Sequence, residues 1–179
     1  MNEEWLKKHI DLRKEANEVI ALIIYETVSI EREIDNYILN HFVKEDKSNE
    51  FSNDILADER FPASLKVKVM MHSGELEKQG YNGVKKDLMR LFEIRNIVAH
   101  NISNILENPK ILIKKDLKIN LYELWTEFSD IHMKLSLVFL RIRIYPERLF
   151  KESFKEEFYE YNKRMKSTGE KISKIYDKK

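Results

Sequence analysis

Residues 88–101 read "LMRLFEIRNIVAHN". At about 100° per residue on an ideal helix, Val84, Leu88, Leu91, Arg95, Val98 and Ile102 fall within about 40° of one direction. The spacing predicts a helix from Val84 with one apolar stripe, and it puts Arg95 near the middle of that stripe. A guanidinium buried without a partner is prohibitive. Arg95 therefore has an acidic partner, or its face looks into a cleft or a subunit interface. Asn96 and His100 are four residues apart and neighbour each other on the helix surface. Arg95 and His100 are five apart, about 140° around the axis, so in one copy they flank a site without stacking. Two copies packed about a twofold axis would bring both sets into one cleft.

Working outward, the periodicity predicts a long helix from about Glu3 to Phe42. Ile20, Ile23, Ile24, Thr27, Glu31, Ile34, Ile38 and Phe42 share a stripe at helical spacing. Glu31 lies on that stripe, where a carboxylate needs a reason, and a Glu31–Arg95 pair would satisfy both groups. The plainer reading is an ordinary buried structural ion pair. The polar run "KEDKSNE" ends this helix. "FSNDILA" reads as a short helix, and Phe61-Pro62 opens the next, since proline suits a first turn. That helix carries Leu65, Val69, His72 and Leu76 on one face, and Gly80 and Gly83 then break the pattern.

After the central helix, "KILIK" and "LKI" are short alternating pieces, a small irregular arm or hairpin near residues 108–119. Asn120 followed by Glu123 marks a helix start with a reciprocal cap. This helix extends to about Ile144, and Pro146 interrupts it. A last helix carries Phe150, Phe154, Phe158, Tyr161 and Met165, most simply as core. The fold class is all-α: a single-domain bundle of about five to six helices over residues 1–166, followed by a lysine-rich, frayed tail, 167–179.

The composition agrees. The chain has 179 residues, enough to bury a core without metals or disulfides, and 35% are charged with only four glycines and three prolines. Lys plus Arg is 32 and Asp plus Glu is 31, so any nucleic-acid binding must come from a local patch. The absence of cysteine removes disulfides, thiolate catalysis and zinc–thiolate sites. No apolar segment follows the charged N-terminus as a signal peptide would require, and "VIALIIY" is far short of the roughly 20 residues of a membrane span. A cytoplasmic protein with no membrane partner is expected.

Other residues weigh less. His72 reads as a satisfied buried or interface histidine and His41 as a cation near a helix C-terminus. His9 and His132 show no partner pattern. No pair of histidines has zinc-site spacing with a carboxylate, and no glycine-rich phosphate loop or nucleophile elbow is present. Three basic clusters offer themselves to RNA. They are Lys110, Lys114, Lys115 and Lys118 in the arm, Arg141, Arg143 and Arg148 around Pro146, and the tail. The arm directly follows "RNIVAHN" and is the first choice, although charge runs are usually solvated faces.

"RNIVAH" is similar to the Arg-x4-His signature of HEPN domains, in which a polar residue often follows the arginine. The preceding Leu91-Phe92-x-Ile94, Asn96 and Ala99 strengthen the resemblance, as does a long upstream helix with an acidic residue. In architecture it covers about residues 15 to 145. The resemblance implies a helical bundle that dimerises with the motif helices facing each other, and a metal-independent endoribonuclease with no cofactor. It implies a toxin or phage-defence effector, held by a partner antitoxin or a larger defence assembly. His100 would be the acid/base group, Arg95 the phosphate clamp and Asn96 a positioning residue, with Glu31 behind them. The sequence departs from some HEPN toxins at Ile102, where they carry a tyrosine modified by a nucleotidyltransferase antitoxin. Non-catalytic members exist as well. The rival expectation is therefore the same dimer used as a regulatory or nucleotide- or protein-binding module.

Overall fold

The computed structural model describes residues 3–74, 76, 81–107, 112–114, 117–142, 159–160, 163, 166–170 and 173. Helix α1 (Glu3–Phe42) is the spine of the bundle, and a tight turn at Glu45–Lys47 leads into α2 (Ser48–Phe51), which widens into a π-turn over Ser52–Leu56. Then come α3 (Ala63–His72), α4 (Val84–His100), α5 (Ile102–Glu107), the short strands β1 (Leu112–Lys114) and β2 (Leu117–Ile119), and α6 (Leu121–Ile142). Helix α1 packs against α3, α4, α5 and α6, and α4 packs against α3 and α6. The fold is an all-helical bundle with a small antiparallel hairpin. Its register sets Leu112 opposite Ile119 and Lys114 opposite Leu117.

The core follows from the helical stripes. On α1, Ala16, Val19, Ile20, Ile23, Ile30, Ile34, Tyr37 and Ile38 are buried. Ile24 and Glu31 lie at the edge of that face and are half-buried, while Phe42 is exposed. On α4, Val84, Leu88, Leu91, Phe92, Ile94, Ile97 and Val98 are buried. The stripe is thus broader than five residues, and Arg95 lies within it but stays half-buried, since this part of the helix borders an open space. Helix α4 stops at His100, where the Asn101 side chain donates to the Ile97 carbonyl (2.7 Å), so Ile102 is not in register with the stripe but opens α5, exposed.

Helix α6 begins as its sequence demands. Asn120 Oδ1 accepts the Glu123 backbone N–H at 2.7 Å, an N-cap of the kind expected of asparagine. Its buried face carries Trp125, Phe128, Ile131 and Leu135, with the Trp125 and Phe128 rings stacked at 6.0 Å. Arg90 on α4 clasps Glu127 on α6 through two parallel bonds of 2.7 and 2.6 Å and also reaches Glu93 at 2.8 Å.

Two expectations are corrected. In α3 the buried residues are Lys66, Val67 and Met70, while Leu65 and His72 face solvent and Val69 is half-buried. Lys66 goes in because two carboxylates await it, and that rotates the whole helix. His132 does have partners: it is 4% exposed, its Nε2 lies 3.5 Å from Glu26 Oε2, and its ring stacks on Phe128. In the tail, residues 166–170 and 173 are helical, and Gly169 approaches the Trp125 indole. Phe150, Phe154, Phe158, Tyr161 and Met165 lie outside the described residues, as do Arg143 and Arg148.

Candidate functional site

Arg95 opens onto a cavity of about 660 Å³ bounded by α1, the π-turn, the start of α3 and α4. The volume lies within the range of small-molecule sites. The charges on its wall sort into those already used and those left over. Lys66, 5% exposed, is the buried member. Its ammonium donates to Glu31 Oε1 at 3.3 Å and Asp35 Oδ2 at 3.0 Å. Glu31 and Asp35 are four residues apart on α1, so both carboxylates reach one point on α3. Burial raises the Asp35 carboxyl above its ordinary 3.8, and the bond to Lys66 opposes that rise.

Asp58 is spent locally. Its carboxylate takes the Arg60 guanidinium at 2.6 Å and the Arg60 backbone N–H at 2.7 Å, which holds its pKa below the usual value. Three charged groups on the wall remain without a hydrogen bond or ion pair to any described residue: Arg32, Glu59 and Arg95. Phe61, half-buried beside Pro62, adds an aromatic ring to the same wall.

The residues singled out from the sequence are therefore divided. Glu31 and Arg95 do share a cavity, but the carboxylate of Glu31 is taken by Lys66 and not by Arg95. Asn96 and His100 are exposed on another face of α4 and do not line the cavity. One copy of the chain thus leaves Arg95 and His100 on different sides of their helix, as their five-residue spacing requires. Lys114 and Lys118 fall in β1 and β2, whereas Lys110 and Lys115 lie outside the described residues.

Lys66, Asp35, Glu59 and Phe61 escaped the sequence reading. The signal for Lys66 was present: Glu31 and Asp35 sit a helical turn apart at the edge of an apolar stripe, and such a pair of carboxylates needs a cation. Among the described residues no three histidine, aspartate or glutamate side chains gather as a metal ion would need, and no helix is long and apolar enough to cross a membrane. Searched against known proteins, the chain matches no family model, no curated protein and no solved structure.

Proposed function

We propose that the chain is a metal-independent endoribonuclease of HEPN type, a toxin or phage-defence effector that works as a homodimer. The observation that carries this reading is Arg95. It is a half-buried guanidinium on a cavity wall, with no hydrogen bond or ion pair to any described residue, five residues before an exposed histidine. A structural arginine at such a place would be tied to a carboxylate, and Glu31 and Asp35 on the same wall are bound to Lys66 instead. Arginine stays charged and binds phosphate through a bidentate fork. Histidine titrates near neutral pH and serves proton transfer.

The reaction needs no more than these groups. A 2′-hydroxyl attacks the adjacent phosphorus, forming the O2′–P bond as the P–O5′ bond breaks. One His100 takes the proton from O2′, and the His100 of a second copy gives a proton to the departing O5′. Arg95 neutralises charge on the phosphate oxygens, and Asn96 orients the histidine or the phosphate. The products are a 2′,3′-cyclic phosphate and a 5′-hydroxyl. Two copies are needed because each supplies one His100, on the side of α4 away from its own Arg95. Lys114 and Lys118 of the hairpin supply backbone contacts to RNA, which makes binding weaken steeply with salt.

The reading is tested on an RNA that the protein cuts, resynthesised with a single 2′-deoxy nucleotide at the cleaved position. Loss of cleavage there, with a cyclic phosphate on the all-ribose product, is expected. Cleavage of the deoxy strand would rule out 2′-hydroxyl attack. The second reading, a non-catalytic regulatory or binding dimer, is favoured by the same exposure of Asn96 and His100, which equally suits an interface. Under it, His100→Ala would dissociate the dimer instead of stopping turnover.

A further inference from the structure

The cavity behind Arg95 has a composition of its own. After Lys66 has engaged Glu31 and Asp35, and Arg60 has engaged Asp58, the wall retains two cations, Arg32 and Arg95, one carboxylate, Glu59, and one aromatic ring, Phe61. A ligand suited to this remainder is anionic at one end. It also donates hydrogen bonds to a carboxylate, and it has a flat face that can lie on an aromatic ring. A nucleotide has all three properties, and the groove, open to solvent along one side, measures about 660 Å³.

We propose that this cavity is a nucleotide pocket, with the phosphate on Arg95, the base against Phe61 and the base edge on Glu59. Arg32, exposed at the rim, adds a second charge for the phosphate. Base–aromatic stacking tolerates any base, so selectivity falls to Glu59. Among the four RNA bases only guanine presents two adjacent N–H donors, N1–H and the N2 amino group, on the edge that a carboxylate can accept with both oxygens. The pocket accordingly prefers guanosine.

Lys66 is the positioning residue of the pocket. Its buried ammonium holds Glu31 and Asp35, the two carboxylates that would otherwise draw in the Arg95 guanidinium. Without Lys66, Arg95 would close onto them and cease to be available to an anion. The inference rests on the reading above for the role of Arg95 towards phosphate, and it adds a base-recognition site that the Arg–Asn–His set does not contain.

The test is calorimetric titration of the full-length protein with guanosine 3′-monophosphate, uridine 3′-monophosphate and inorganic phosphate, in parallel with RNA cleavage by the same preparations. Expected are at least tenfold tighter binding of the guanosine nucleotide than of the other two, loss of that preference in Glu59→Gln, and about tenfold weaker nucleotide binding in Phe61→Leu. Lys66→Met should weaken binding of all three ligands, and adding Asp35→Asn with Glu31→Gln should restore it. Equal affinity for the three ligands, or a guanosine preference that survives Glu59→Gln, would overturn the pocket. If Lys66→Met does not fold, the Glu59 and Phe61 variants, both on half-buried or exposed positions, still decide the matter. RNA cleavage dependent on Arg95 and His100 without nucleotide binding would sink the pocket and leave the ribonuclease standing. Guanosine binding without any cleavage would do the reverse.

Discussion

At the scale of single residues, the decisive side chain is Lys66. Its side chain is 6% exposed, while Glu31 and Asp35 keep 27% and 24% exposure. Removing one partner of a buried ion pair strands the others in a poor dielectric. Lys66→Met should therefore lower the unfolding free energy by roughly 2 kcal/mol in urea denaturation, less than for fully buried pairs because the carboxylates remain partly hydrated. Asp35 gives this a pH dependence. Burial raises its carboxyl above 3.8, so the native state binds a proton more readily than the unfolded chain. That contribution favours the fold below 3.8 and is lost as pH rises through the raised native value. Asp35→Asn should flatten the stability curve in that window. Arg95 was legible as an arginine in an apolar stripe, because periodicity alone puts it there. Its separation from Glu31 was not legible. Which of two cations a carboxylate takes depends on how α3 is rotated, and a lysine between Leu65 and Val67 looks like any surface lysine until its helix is docked.

At the scale of elements, the helices were readable wherever apolar spacing, caps and breakers agreed. Helix α1 ends at Phe42 and α6 begins after Asn120, as their sequences indicate. The Asn120 cap should contribute about 1 kcal/mol, so Asn120→Ala is expected to lower the melting temperature while leaving the fold intact by circular dichroism. The clasp between α4 and α6 has a different signature. Arg90 is 31% and Glu127 42% exposed. Even with two parallel bonds their pairing is worth no more than about 1 kcal/mol, and it should shrink in high salt. A double-mutant cycle on Arg90→Ala and Glu127→Ala, run at low and high salt, measures this. Helix α3 was misjudged because the reading followed Leu65 and Val69, whereas Ala63, Val67, Met70 and Met71 share the opposite face and go inward. The carboxylates on α1 reinforce that choice by taking Lys66 inward.

At the scale of the whole molecule, the all-helical bundle was visible in composition and periodicity, and the hairpin after α5 in its alternating residues. What a single chain does not contain is a completed Arg–Asn–His site. Arg95 opens onto the cavity, whereas Asn96 and His100 stand on an exposed face. Under the proposed ribonuclease reading, a centre that uses both sides of α4 takes its second half from another copy, and light scattering should report a dimer for the wild type. We propose that Arg95 and His100 perform metal-independent RNA cleavage. The most direct measurement is gel-resolved cleavage of total and transfer RNA in excess EDTA by wild type, Arg95→Ala and His100→Ala, each checked for mass by light scattering. Cutting by the wild type, with at least a hundredfold loss in both variants while all three remain dimeric, is the predicted result. Undiminished cutting by His100→Ala, or no cutting by a wild type that is dimeric and folded, would contradict it.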